Sequence, residues 1–367
     1  MKKRLFSLLL VSALVFTLSG CGEKSLLRES DPVTLNFWHV YGEQSGSPMD
    51  LLVQEFNRTV GQEKGVRVQV TNLSSASKIG GFLKEAQKGG RDAPEMPDLF
   101  TCHISDATAL GSDNLVDWNA RFTAEELSNF VPGFLADGMT EDGTLLLFPI
   151  SKSTQLLMCN GSGFARSLAQ GHVVVSDLYS NTQVMTGDVL SGLGSSAAIL
   201  YYNDTVTYRD GTQEPMDLHV LPMPKTAGAD ALMTQAGVGL CAYKTTDQKA
   251  EAAALFVRWL TENGRNLDFV AQTGYMLVRN GAFDAIENYD KFPEPTESYR
   301  QLYAALKIMQ ESYTPLSEPR FEGYYGKVSQ LYDGLRQMQQ KLPARAAAGE
   351  SIDTLAEETW ALLCAIH

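Results

Sequence analysis

Cysteine is scarce in this chain, with 5 among 367 residues. That is far too few for a scaffold stapled by disulfides. Cys102, Cys159, Cys241 and Cys364 lie far apart in apolar settings and show no CxxC or metal-ligand spacing, so they read as buried free thiols. Basic residues are outnumbered: Lys plus Arg is 30 against 43 Asp plus Glu, a formal net charge of −13. An acidic chain lacks the electrostatic footprint of nucleic-acid binding, which is excluded as an expected partner. Catalytic and cofactor motifs are missing as well, with no GxSxG elbow, HExxH, phosphate-binding GxxxxGK[ST] loop or EF-hand calcium loop. Gly237-Val238-Gly239 is only part of a dinucleotide fingerprint and sits inside a strand-like run. The histidines His39, His103, His172, His219 and His367 are isolated, without a second ligand at metal spacing. Paired carboxylates such as Glu125-Glu126 and Glu357-Glu358 lie on predicted helices and read as solvated faces. No internal repeat occurs. What remains is a chain with 44% hydrophobic residues. It is too long for one ordinary domain and apolar enough to build real cores.

The first residues are of a different kind. Met1, Lys2, Lys3 and Arg4 precede an apolar run over residues 5–18. A basic start, an apolar stretch of about 7–15 residues and a small-residue end describe an export signal. The run is shorter than the ~20 apolar residues a bilayer span needs. Leu18-Ser19-Gly20-Cys21 resembles a bacterial lipobox, with cleavage before Cys21 and lipid on its sulfur and new amino terminus. Residues 1–20 are thus an expected signal peptide, and residues 21–32 a lipidated cysteine and polar tether. Residues 1–20 carry three basic side chains and no acidic one, so the exported globule would be more acidic still. The expected localisation is extracytoplasmic, held at the cell membrane by lipid rather than by a basic patch.

From residue 33 onward, strand and helix patterns alternate. VTLNFWH over 33–39 has the period of a strand. Ser47 is placed to cap, and Pro48 to open, a helix whose buried stripe is Leu51, Leu52, Val53 and Phe56. Residues 66–70 predict a strand, IGGFLKEAQKGG a helix with a glycine stop, and residues 97–104 a buried strand. Extended segments are expected over 145–160, divided by Ser151-Lys152-Ser153, and strands at 197–202, 218–224 and 236–243. Helices are expected over 247–264, 298–311, 324–341 and 351–365, with Phe256, Trp259, Leu260 and Trp360 facing inward. The fold class implied is α/β with mostly parallel sheet covered on both faces. An exported, tethered chain without catalytic motifs invites a binding function.

Here a family resemblance emerges. LNFWHVYGEQSG, the EFN of the first helix, PDLF, FPISKSTQLLMCN, TGDVLSGLGSSAA, AGVGL, AAALFVRWLTE and TGYMLV occur in order along residues 33–330. In this series the chain resembles the extracellular solute-binding proteins of carbohydrate-type ABC importers, and in particular their glycerol-3-phosphate-binding branch. The resemblance implies the two-lobed, type II periplasmic-binding-protein fold with a hinge and a helical C-terminal part. It assigns 33–150 to a first lobe, completed by about 244–297, and 151–243 to a second lobe, completed by about 298–367. It implies a non-enzymatic, monomeric protein without metal or cofactor. Such a protein captures a sugar or glycerol-phosphate-like solute by lobe closure and delivers it to an ABC permease.

Carried over residue by residue, the branch's ligand-binding positions match Ser153, Ser195 or Ser196, Gly237, Tyr275 and Arg320, the last suited to forked phosphate contact. Trp38, His39 and Tyr41 are added because they end the first strand, where open α/β sheets bind ligands. Two positions depart from the branch. His103 stands near an expected glutamate, and Asn72 or Leu73 near an expected tyrosine, which leaves a phosphate on the ligand open. The larger departure is length: only residues 165–185 stand where relatives carry many dozens, so the second lobe is expected to be shortened. Two alternatives stand beside this reading. One is an exported lipoprotein hydrolase acting on glycans or phosphodiesters, and the other a sensory protein presenting its ligand to a membrane receptor.

Overall fold

The computed structural model describes residues 26–42, 47–73, 76–160, 179–225, 228, 230–321 and 324–350. A mixed sheet in the order β10-β3-β1-β2 is built from β1 (Val33–His39), β2 (Val66–Asn72), β3 (Leu99–Cys102) and β10 (Gly239–Ala242). β1 runs parallel to both β2 and β3, while β10 pairs antiparallel with β3 at the edge. The alternation along β1 explains why both faces are covered. Leu35 and Phe37 point into a core with Phe56 of the helix Pro48–Arg58 and Phe256 of the helix Asp247–Leu260. The Phe37 and Phe256 rings meet edge-on at 5.7 Å, and Phe56 and Phe256 at 5.0 Å. Trp38 points the other way, into a second cluster with Phe100, Ile79 and Leu83 from the helix Ala76–Lys88, and Ala107 and Leu110 from the helix Ile104–Leu110.

A second, antiparallel sheet has the order β5-β4-β8, from β4 (Gln155–Asn160), β5 (Ser191–Ser195) and β8 (Leu218–Leu221). The helix Thr296–Ser312 packs against β8, where the Val220 amide donates to Gln301 Oε1 at 3.1 Å. The short hairpin of β6 (Thr205–Thr207) and β7 (Gln213–Pro215) stands beside it. Two of the chain's passages between the sheets lie side by side. Outbound, Phe148 bridges Leu240, Lys152 bridges Met276 and Ser153 bridges Ala236 before β4 begins. Inbound, β9 (Leu232–Gln235), paired in parallel with β11 (Thr314–Ser317), runs through Ala236 and Gly237 into β10.

Several expectations needed correction. Residues 197–202 read as a strand but lie largely in a 3-10 helix, Ser196–Tyr201, because the Ser195 hydroxyl accepts the Ala197 amide and caps a helical turn. The strand expected over 97–104 stops at Cys102, since Ile104 already opens a helix. Leu51 was expected in the buried stripe of its helix but is 56% exposed, and Met49, Val53 and Phe56 hold that face at spacings of four and three. Glu126 is no solvated bystander, since its carboxylate accepts the Thr123 amide at 2.8 Å and Arg258 Nε at 2.6 Å. The helix expected over 351–365, Trp360, the lipobox Cys21 and most of residues 165–185 lie outside the described residues. Among the described residues no helix is long and apolar enough to cross a membrane.

Candidate functional site at the junction of the two sheets

The chain entering the second sheet carries Ser151, Lys152, Ser153 and Thr154, a polar run flanked by Phe148 and Ile150 on one side and β4 on the other. It threads between the C-terminal end of β1, the segment around Gly237 and the segment around Tyr275. Ser153 and Ala236 exchange both backbone hydrogen bonds at 3.0 Å. This sets Gly237, with φ of +106°, directly against Ser153. A Cβ on Gly237 would lie 3.6 Å from the Ser153 amide nitrogen, 3.7 Å from its Oγ and 3.9 Å from Tyr275 Cε1. Those distances leave room for a Cβ, so it is the positive φ that favours glycine here. Tyr275 meets Tyr41 edge-on with ring centroids 5.9 Å apart, and the Tyr41 hydroxyl bonds Ser151 Oγ at 2.9 Å. Burial is the main force raising the Tyr41 phenol far above its ordinary pKa, so it stays protonated.

Ser195 and Ser196 reach the same place from the second sheet. The Ser196 amide donates to the Thr154 carbonyl at 2.8 Å, and a Cβ on Gly274, beside Tyr275, would lie 2.8 Å from the Ser196 carbonyl oxygen. Ser195 Oγ caps its 3-10 turn. Three buried polar side-chain atoms around this junction have no hydrogen-bond partner in the protein: Thr154 Oγ1, Ser196 Oγ and Gln235 Oε1. Buried polar groups are ordinarily satisfied. Three orphans within two residues of Ser153, Ser195 and Gly237 mark a place suited to a hydroxyl-bearing ligand or water.

A charged cluster adjoins the junction. Lys152, 1% exposed, forms an ion pair with the buried Asp137 at the C-terminal end of the helix Pro132–Asp137. The guanidinium of Arg320 donates to the carbonyl oxygens of Met139, Ala136 and Asp137 around the same helix end. His103, at the C-terminal end of β3, has its Nδ1 3.7 Å from Glu318 Oε2. Burial and the neighbouring Lys152 ammonium, partly offset by Asp137, lower the His103 pKa to about 4, so the ring is neutral at neutral pH.

The structure therefore brings together Tyr41, Ser153, Ser195, Ser196, Gly237 and Tyr275, and sets His103 and Arg320 beside them through Lys152 and Asp137. Trp38 and His39 stand apart. Trp38 is packed under the sheet in the same cluster as Phe100, its register partner on β3. His39 is 0% exposed; its Nε2 donates to Asp50 Oδ1 at 2.8 Å and its Nδ1 accepts the Tyr41 amide at 3.1 Å, which fixes the turn that delivers Tyr41. Burial is the largest influence on the His39 pKa and lowers it, against the opposing pull of Asp50. Sequence reasoning missed Asp137, Lys152, Thr154 and Gln235 as site residues. The available signal was the SKST interruption between two apolar runs, where a lysine has to find a buried partner.

The architecture defines a class, the two-lobed α/β binding-protein fold with paired crossing segments between its sheets. The chain is similar in fold to UgpB from Mycobacterium tuberculosis in complex with glycerophosphocholine, at 15% identity and a TM-score of 0.62, over 91% of this chain and 99% of that one. It is similarly close to a cyclic alpha-maltosyl-1,6-maltose binding protein from Arthrobacter globiformis, at 15% identity and a TM-score of 0.60, again over 91% and 99%. An extracellular solute-binding protein, family 1, from Alicyclobacillus acidocaldarius shares 12% identity with a TM-score of 0.62, over 90% of this chain and 97% of that chain. No family model and no curated protein matches the sequence.

Proposed function

We propose that this protein is the lipid-anchored, extracytoplasmic solute-binding subunit of an ABC importer, and that its ligand is a neutral, polyhydroxylated solute of the sugar class. The observation that carries the reading is the junction itself, where Ser153, Gly237 and Tyr275 converge beside three unpartnered buried polar atoms. Hydroxyl groups on a ligand match such atoms in polarity, and Tyr41 and Tyr275 offer aromatic edges and faces. A phosphate would call for a forked cation, yet Lys152 is paired with Asp137 and Arg320 is bonded to three carbonyl oxygens. His103, neutral at neutral pH, adds no charge to attract an anion.

The two similar structures named for their ligands divide along the same line, one with maltose units and one with a glycerophosphodiester. Thermal unfolding of the purified chain with maltooligosaccharides, polyols, glycerol 3-phosphate and glycerophosphocholine separates the possibilities. A saturable rise with a neutral saccharide, worth about 2.7 kcal/mol at a hundredfold excess over Kd, is the expected result. A rise only with the phosphorylated compounds would overturn the neutral assignment, and no rise with any of them would overturn the binding function. For the anchor, Cys21→Ser is expected to move the protein from the membrane to the soluble fraction of an expressing bacterium.

A further inference from the structure

Cys102 and Cys241 lie 139 positions apart in sequence, yet their sulfurs are 3.6 Å apart in the structure. Cys102 ends β3, and Cys241 stands on β10 two residues beyond Gly239, the register partner of Cys102. The two are therefore diagonal neighbours on one face of an antiparallel pair, and both side chains lean together so that their sulfurs touch. Both are 0% exposed. We propose that Cys102 and Cys241 form a disulfide that fastens the edge strand β10 to β3 when the chain folds outside the cytoplasm.

The location rests on the export reading above; the bond itself rests on geometry. Closing 3.6 Å to the covalent sulfur–sulfur distance of about 2.0 Å requires side-chain rotation and a small approach of β10. The far edge of β10 is held by the Leu240–Phe148 backbone pair, at 2.8 and 2.9 Å, so the approach comes chiefly from rotation of the two cysteine side chains, with the strand adjusting locally. In the thiol form, Cys102 donates to Cys241 Sγ, and Cys241 donates to the Leu146 carbonyl at 3.0 Å. Burial pushes the Cys102 thiol well above its ordinary pKa, which suppresses the thiolate that attacks a disulfide. Both sulfurs are also shielded from any external oxidant in the folded protein, so oxidation is expected before β10 docks.

The oxidant is an external disulfide, either a thiol–disulfide oxidoreductase or oxidised glutathione. One cysteine thiolate attacks it, forming a mixed disulfide and releasing one thiol. The second cysteine thiolate then attacks the protein sulfur and releases the other. Two protons and two electrons leave the cysteine pair, and the oxidant becomes two thiols.

The full chain is unfolded, refolded in a glutathione redox buffer, denatured again, alkylated with iodoacetamide and digested for mass spectrometry. In a parallel sample, oxidised glutathione is added to protein already folded in reductant. Expected is a linked Cys102–Cys241 peptide, lighter than the two free-thiol peptides by two hydrogens, after refolding but not after late addition. The refolded sample is also expected to unfold several degrees higher than its reduced counterpart, because the cross-link closes a long loop. That difference should vanish in Cys241→Ala. Alkylation of both cysteines after oxidative refolding, or linkage to any other cysteine, would overturn the proposal. Because this readout is made in vitro, its failure is distinct from failure of export, which separation of the periplasmic or secreted fraction from the cytoplasm of an expressing bacterium reads.

Discussion

Lys152 shows how much one residue can decide. A lysine 1% exposed is tolerated only because Asp137 meets it, and the aspartate in turn has no comparable partner if the lysine is lost. Lys152→Met should destabilise the protein by about 3–5 kcal/mol in urea unfolding, and Lys152→Met combined with Asp137→Leu should recover most of that loss. A double variant as unstable as the single one would show that the pair is not the cause. His103 adds a dependence on pH. Its pKa in the folded protein is about 4, below the 6.5 of an unfolded histidine, so the unfolded chain binds the proton first. Stability is therefore complete above pH 6.5 and is lost as pH falls from 6.5 toward about 4, by up to about 3 kcal/mol. Urea midpoints across that range should flatten in His103→Gln, while Lys152, Asp137 and Glu318 remain as the charges around the site. None of this pairing was legible in the sequence. Asp137 and Lys152 belong to different structural segments, and only the folded crossing brings them into contact.

Single elements were the most legible. β1 matches its expected bounds, 33–39, because Val33, Leu35 and Phe37 alternate onto one buried face. The helix Pro48–Arg58 opens where Ser47 and Pro48 said it should. Ser47 Oγ accepts the Asp50 amide at 3.4 Å and donates to the Tyr41 carbonyl at 2.5 Å, joining the helix start to the turn that presents Tyr41. Ser47→Ala should cost about 1–2 kcal/mol by urea midpoint, with Ser47→Thr retaining most of it. An unchanged midpoint would place the cap elsewhere. Less legible were elements whose pattern was overruled by a single contact. Residues 197–202 have the composition of a strand, but the Ser195 cap turns them into a 3-10 helix. Of the residues inferred from strand position alone, Tyr41 reaches the junction, whereas Trp38 and His39 are buried in or beside the first core; of those carried by family resemblance, Ser153, Gly237 and Tyr275 lie together and Arg320 lies beside them.

At the scale of the molecule, two separate sheets joined by crossing segments at one place can open and close about that place. A ligand touching Ser153, Gly237 and Tyr275 from one side and Ser196 from the other would stabilise the closed arrangement. Small-angle scattering with and without a saccharide that raises the unfolding temperature should show a smaller radius of gyration in its presence. An unchanged radius would mean that binding leaves the lobes where they are.

β10 carries a consequence for the order of events in time. The first sheet draws three strands from residues 33–102 and its fourth from residues 239–242, with the helix Asp247–Leu260 closing its core after that. While the chain is being made, the early strands must wait for well over a hundred residues before their edge and their Phe256 arrive. Such distant pairings make for slow folding and long exposure of apolar surface. The first lobe is thus the first begun and among the last finished, and a nascent chain stalled before residue 239 would present an open, aggregation-prone strand edge rather than a folded half.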